Sequence, residues 1–237
     1  MDISILYEDN HLLVVEKPVN IPVQGDASRD VHMVDLLKED LKVRYNKPGK
    51  VYLGLVHRLD RPVGGVMVYA KTSKAASRLS DLMRRQEMER TYLAIVHGRM
   101  PQESGKLVDY LYKDRNENKV YPCRPHDSMA KRAVLTYEQL HSEGALSLVR
   151  VKLHTGRPHQ IRFQLAHAGC PIFGEQKYGE QRNRRGLQIA LWSYELEFKH
   201  PTKDEQVKTV CSPPAKNPWN MFDLGKLLGE RLRDKVY

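Results

Sequence analysis

The side chains in this chain best suited to chemistry are a carboxylate and the cations around it. Asp60 stands between Arg58 and Arg61 in His57-Arg58-Leu59-Asp60-Arg61, a polar insert between apolar runs at 53–56 and 66–70 that closes on Pro62 and the pair Gly64-Gly65. A nearby guanidinium favours the ionised carboxyl and lowers its pKa by about 1–3 units, so such an Asp can be held as a nucleophile. Tyr92, on a strand-like run, offers a nucleobase a stacking surface, and Arg162, in a turn-helix segment, offers a further cation. The same Asp would also serve as a plain turn residue, its side chain accepting local backbone N–H groups. A surface Arg–Asp pair contributes only about 0–1 kcal/mol.

Other chemistries lack their residues. The chain has no G-x-x-x-x-G-K-[ST], no G-x-G-x-x-G and no G-x-S-x-G elbow, so no nucleotide cofactor is expected. His154, His159 and His167 lack the i, i+4 spacing of a helical metal pair, and no metal is expected.

Composition sets the partner. The 237 residues carry a formal charge of +10 and 41% apolar side chains, enough for one sizeable domain with its own core. The basic balance points to an anionic partner, nucleic acid first, because each Lys or Arg that meets a phosphate releases a counterion. Three widely spaced cysteines, Cys123, Cys170 and Cys211, without a Cys-x-x-Cys pair, fit a reducing compartment. With no signal peptide and no apolar run near 18 residues, a cytoplasmic protein without a membrane partner is expected, as a monomer.

The elements that must position these residues follow from periodicity. Two apolar runs within 3–17, separated by Asp9-Asn10, predict a hairpin; Lys17-Pro18 begins a rigid connector; Val34, Leu37 and Leu41 predict a helix near 31–45. Residues 53–71 read as strand, turn, strand, with Asp60 at a strand end, where function usually sits. Thr72 or Ser73 can cap a helix with Ala75, Ala76, Leu79, Leu82 and Met83 on its apolar face. Residues 90–96 predict a strand ended by Gly98, 101–130 an irregular, mobile β insertion, and 131–141 with 145–154 a hairpin. Pro158 suits the first turn of a helix carrying Ile161, Leu165 and Ala168, ended by Gly169. Trp192, Tyr194, Leu196 and Phe198 alternate with polar residues as a strand, and 224–232 closes the chain as a helix. The fold class is α+β, a mostly antiparallel mixed sheet flanked by helices, and 1–237 is read as one domain.

Taken in order, YEDNHLLVVEKPVNIPV, HRLDRPVGGVMVYAK, RTYLAIVHG and TGRPHQIRFQLAHAGCPIFGEQKYG resemble four successive motifs of the large-ribosomal-RNA and transfer-RNA branch of the RNA pseudouridine synthases. The resemblance covers roughly residues 5–200, and its HRLD and TGRPHQIR elements lie about 100 residues apart. It implies a catalytic domain with a central cleft and a cofactor-independent isomerisation of a uridine within ribosomal or transfer RNA. Asp60 matches the family's catalytic aspartate, which either attacks the sugar or base or removes a sugar proton. Tyr92 matches the tyrosine that packs on the target base, and Arg162 the arginine that pairs with the aspartate. The nucleotide is expected to be flipped out. Arg58 matches an arginine that fills the vacated space, with a plain phosphate contact as the other reading. Arg61, Lys71, His159 and Gln160 lie in the same motifs and are assigned to RNA binding, structural pairing being equally open for Lys71.

Three positions depart from the family pattern. Val63-Gly64-Gly65 stands where Thr-Ser-Gly is usual, Asn20 where Gly follows Lys-Pro, and Glu175 where Asp precedes the Tyr178-Gly179 pair. The small N-terminal RNA-binding module of many relatives is not seen, which leaves RNA affinity to the basic surface of the catalytic domain. Two rivals stand beside this reading. One is an RNA-binding or folding-assistance protein without turnover, suggested by Val63-Gly64. The other is a nucleic-acid hydrolase, which would ordinarily need a second carboxylate beside Asp60.

Overall fold

A computed structural model describes residues 3–25, 29–179 and 181–229. The chain divides into two compact units, Met1–Thr91 with Trp192–Ser212, and Tyr92–Leu191 with Pro213–Tyr237.

The first unit is built on a mixed sheet. Strands β1 (Ile5–Glu8) and β2 (Leu12–Lys17) form the hairpin expected around Asp9-Asn10. Its turn is closed by the Asp9 carboxylate, which accepts the N–H groups of His11 and Leu12 at 2.7 Å each. After α1 (Met33–Arg44) the chain makes a two-residue strand, β3 (Gly54–Leu55), and then β4 (Gly64–Ala70). All seven residues of β4 are buried, which is why it reads as a continuous apolar run without alternation. One edge of β4 takes β2, antiparallel, from Leu12↔Ala70 to Lys17↔Gly65. Its other edge is shared between β3 at its end and β10 (Leu191–Lys199) at its start, where Trp192 and Ser193 pair in parallel with Gly64 and Gly65. The parallel pair makes the sheet mixed. Helix α2 (Ser73–Arg85) is capped by Thr72, whose hydroxyl accepts the Ala75 N–H at 3.2 Å, and it buries Ala75, Leu79 and Leu82. Strand β11 (Gln206–Val210), which the sequence reading passed over, pairs antiparallel with β10 and buries Val207 and Thr209 by simple alternation.

The second unit takes up strand β5 (Glu89–His97) from Tyr92 onward. Strands β6 (Ser104–Asp114), β7 (Lys119–Pro122), β8 (Lys131–Glu143) and β9 (Leu146–Leu153) complete its sheet in the order β5-β9-β8-β6-β7. The irregular reading of 101–130 is corrected here, because β6 is an eleven-residue strand in register with β8 from Ser104↔Glu138 to Leu111↔Lys131. Its polar Lys106, Asp109 and Lys113 hide the pattern, since the strand rests on its backbone ladder and buries fully only Leu111. Helix α3 (Gln160–His167) begins two residues after Pro158 and is buried on every side from Gln160 to Leu165, polar residues included. The last helix, α4 (Leu224–Leu228), ends at Gly229 in the left-handed conformation, φ 68°, and residues 230–232 of the expected helix lie outside the described residues. No helix among the described residues is long and apolar enough to cross a membrane.

Candidate active site

The loop carrying Asp60 is shaped by one side chain on each of its flanks. Strand β3 stops at the pair Leu55↔Tyr69. The Val68 N–H is taken by His57 Nε2 at 3.2 Å instead of a backbone carbonyl. The imidazole thus ends the ladder and lets the chain turn toward Asp60 without orphaning a buried donor. Burial, assisted by the charge of Arg90, pushes the His57 pKa down to about 3, which keeps Nε2 an acceptor. Beyond Asp60 a turn is closed by the Val63 N–H on the Asp60 carbonyl at 2.9 Å.

Lys17 supports the same loop from below and was missed in the sequence, where it reads as the start of a connector. Its side chain is completely buried, and Nζ donates to the carbonyls of Pro18 (2.9 Å), Arg61 (3.0 Å) and Val63 (2.7 Å). Three acceptors match the three protons of an ammonium. Burial pulls the Lys17 pKa down to about 7, the Asp60 carboxylate pushes it back up and Arg61 lowers it further. The signal that could have revealed Lys17 is the period of two along β2, which sets it on the face of Leu13 and Val15, both wholly buried.

The arginines of the motif differ. Arg61 is tied into the scaffold, with Nε on the Asn20 carbonyl at 3.1 Å, Nη2 on Asp30 at 2.7 Å, and its own carbonyl accepting the Asn20 N–H at 2.8 Å. Asn20 takes φ 66°, a left-handed conformation that Asn tolerates better than most residues; this explains how it can stand where a Gly is usual. Arg58 is exposed and makes no hydrogen bond or ion pair among the described residues. Lys71 serves the fold, its Nζ on Glu8 at 2.6 Å and on the Asp9 carbonyl at 2.7 Å, over the Tyr45 ring.

The missing hydroxyls at Val63-Gly64 have a packing counterpart. A Cβ on Gly64 would stand 2.3 Å from Cζ3 of Trp192, and one on Gly65, at φ 113°, 2.1 Å from the Ser193 carbonyl oxygen. Trp192 is fixed by its indole N–H on the Cys211 carbonyl at 2.8 Å, so its ring occupies the space a Ser side chain at 64 would need.

The remaining site residues belong to the second unit. Tyr92 is a buried residue of β5. Arg162 is buried within α3, not solvated on its surface, and is gripped by Glu175 through Nε at 2.6 Å and Nη2 at 2.8 Å, the planar fork suited to a carboxylate. Glu175 also accepts the Lys177 N–H at 2.7 Å. The longer acid where Asp is usual therefore still reaches the guanidinium. His159 takes φ 50° before α3 and its Nδ1 meets the Tyr178 hydroxyl at 2.7 Å; the same hydroxyl accepts the Val120 N–H at 2.8 Å. Gln160 is buried and folds the turn, accepting from the Thr155 hydroxyl (2.8 Å) and the Arg157 N–H (3.0 Å) while donating to Gln164 (3.0 Å). These two side chains position α3. Asn183, inside a run that reads as a basic loop, donates to the carbonyls of Ile172, Glu175 and Gly179 and accepts the Gly174 N–H at 2.6 Å. Nothing in its sequence context marked it.

With that geometry in place, residues 11–167 match the RNA pseudouridylate synthase family. The chain belongs to that family. The match takes in Lys17, His57, Asp60, Tyr92 and Arg162, and stops short of Glu175 and Tyr178. Relatives include ribosomal large subunit pseudouridine synthase C of Buchnera aphidicola subsp. Acyrthosiphon pisum, 30% identical over 86% of this chain and 65% of that protein. tRNA pseudouridine synthase C of Pasteurella multocida is 29% identical over 90% and 91%, and an uncharacterized RNA pseudouridine synthase of Aquifex aeolicus is 32% identical over 86% and 67%. The chain spans about two thirds of the length of the large-subunit relatives from Buchnera. Among solved structures, human RNA pseudouridylate synthase domain containing 4 superposes with a TM-score of 0.76 at 25% identity, covering 89% of this chain and 88% of that one.

Proposed function

We propose that this protein isomerises specific uridines in ribosomal or transfer RNA to pseudouridine, with Asp60 as the catalytic carboxylate. Membership of the pseudouridylate synthase family, with HRLD and TGRPHQIR intact, carries the reading. Relatives named for large-subunit RNA and for tRNA support both substrate classes. In the reaction the bond from the base nitrogen to the sugar breaks, a bond from carbon 5 to the same sugar carbon forms, the hydrogen on carbon 5 leaves to solvent, and the released nitrogen is protonated. No oxidant, cofactor or metal is required. Asp60 acts either by covalent attack on sugar or base or by removing a sugar proton. Tyr92 supports the base and Arg162 the carboxylate chemistry. Exposed Arg58 meets the flipped nucleotide's neighbours or their phosphates, and Arg61, Lys71, His159 and Gln160 hold the motifs that face RNA. Residues 1–237 work as one catalytic domain, as a monomer in the cytoplasm.

The test is release of tritium to water from RNA labelled at carbon 5 of uracil, with wild type and Asp60→Ala side by side. Release by wild type alone is expected. Release by both proteins would remove Asp60 from its role, and release by neither from unmodified ribosomal and transfer RNA would leave an RNA-binding protein without turnover.

A further inference from the structure

The residues assigned to chemistry make no use of the end of the β6–β7 hairpin or of the loop after it, yet that region holds an open groove of about 620 Å³. Tyr112, Cys123, Arg124, Asp127 and Met129 are among the residues that line it. The groove is pre-formed. The Cys123 N–H donates to the Tyr110 carbonyl (2.8 Å), and the Asp127 carboxylate accepts the Arg124 N–H (2.7 Å), which folds the loop over itself.

Two features give the groove a chemical preference. The first is aromatic. Tyr112 and Tyr121, cross-strand partners in the hairpin, stack with ring centroids 5.6 Å apart and planes 26° from parallel, and the Tyr121 hydroxyl is fastened to Glu117. Tyr121 braces one side of the Tyr112 ring, while Tyr112 lines the groove beside Met129, which is 63% exposed. A braced ring beside an exposed thioether is an apolar slot for a flat group, since base–aromatic stacking tolerates any base.

The second feature is charge. Residues 104–132 hold seven Lys and Arg against four Asp and Glu, and each acid is engaged internally. Asp109 bonds Gln164 and His167, Asp114 accepts the N–H groups of Asn116 and Glu117, Glu117 holds Tyr121, and Asp127 holds Arg124 N–H. The Arg124 guanidinium makes no hydrogen bond or ion pair among the described residues. The bonds hold the acids in place without removing their charge, and seven cations less four acids leave the segment at +3 beside an aromatic slot, which suits a nucleotide and disfavours a purely apolar peptide.

We propose that this groove binds one unstacked nucleotide of a single-stranded RNA segment, its base against Tyr112 and Met129 and its phosphate at Arg124. The proposal rests on the reading of the protein as RNA-directed and gives it a contact separate from the reacting uridine.

The test uses the full chain and a fluorescein-labelled, uridine-free RNA decamer, which cannot be a substrate, followed by anisotropy, with heparin as a polyanion without bases. Met129→Glu, at an exposed site, and Tyr112→Leu, which keeps apolar bulk, should each weaken decamer binding on the order of tenfold, with thermal unfolding unchanged for Met129→Glu and slightly lowered for Tyr112→Leu, which loses the stack on Tyr121. Tyr112→Leu should leave heparin binding as it was. Arg124→Gln should lower the slope of log affinity against log salt by about one. The proposal is overturned if Tyr112→Leu and Met129→Glu bind the decamer like wild type, if heparin binding by Tyr112→Leu falls as far as its RNA binding, or if wild type binds no decamer. Tritium release by wild type separates the two ideas. Release with a negative decamer result ends the groove alone, whereas Tyr112-dependent decamer binding without release leaves the groove standing and ends the isomerase.

Discussion

Lys17→Met isolates the support of the Asp60 loop, because methionine keeps the unbranched apolar stem, one heavy atom shorter, and deletes its three donors. Two large terms oppose each other in stability. Leaving the carbonyls of Pro18, Arg61 and Val63 without this donor costs about 1–3 kcal/mol each. Burying the ammonium, which takes the pKa from 10.5 to about 7, costs the wild type about 5 kcal/mol at 1.36 kcal/mol per pH unit, so the net change should lie within about 4 kcal/mol of zero. Position has no such compensation. Two of the three carbonyls belong to residues just after Asp60, and a displacement of about 1 Å in a reacting group costs about 10²-fold in rate. Rate should therefore fall by about two orders of magnitude while unfolding moves modestly.

The pH dependence sharpens the test. Because the folded pKa of Lys17 lies below its unfolded value, the unfolded chain holds the extra proton between about pH 7 and 10.5, and this group makes stability rise with pH through that window. Activity should fall as pH rises through about 7, when the third N–H and the charge facing Asp60 are lost. The opposed slopes belong to wild type and should both vanish in Lys17→Met. Single-turnover tritium release at saturating RNA from pH 6 to 9, with urea unfolding over the same range, measures them. Equal rates for the two proteins, or a wild-type profile without a descending limb near 7, would refute the reasoning.

His57, with its pKa pushed from 6.5 down to about 3, should make stability fall on acidification through that window by up to about 5 kcal/mol; His57→Gln, whose amide oxygen can accept the Val68 N–H, should flatten the trend in urea titrations at pH 4 and 7. Gly64→Ser restores the hydroxyl usual in the family but meets the Trp192 ring, so it should destabilise by about 1–3 kcal/mol, with Trp192→Leu in the same chain recovering part of the melting temperature. Glu175→Ala removes both bonds to Arg162 and should cost about 3–5 kcal/mol, whereas Glu175→Asp, keeping the charge, should lose less in the same calorimetric scan.

Sequence alone determined whatever rests on neighbours along the chain. The Asp9-Asn10 hairpin, the Thr72 cap, the turn after Asp60 and the Gly169 helix end are local, so a few adjacent residues specify each one. Motif order was enough to reach the family for a related reason, since Asp60, Tyr92 and Arg162 stand inside short runs that can be read one after another along the chain. The eleven residues of β6 were not legible, because that strand is held by pairing to β8, and backbone ladders leave little trace in side-chain type. Only the tertiary structure decided that Lys17, His57, Gln160 and Asn183 belong inside. Each is polar, so composition assigns it to the surface; Lys17 and His57 are buried because distant backbone groups, carbonyls at 61 and 63 or an N–H at 68, supply or demand the hydrogen bond that burial would otherwise forfeit, while Gln160 and Asn183 are satisfied by groups of their own folded segments, 155–164 and 172–183.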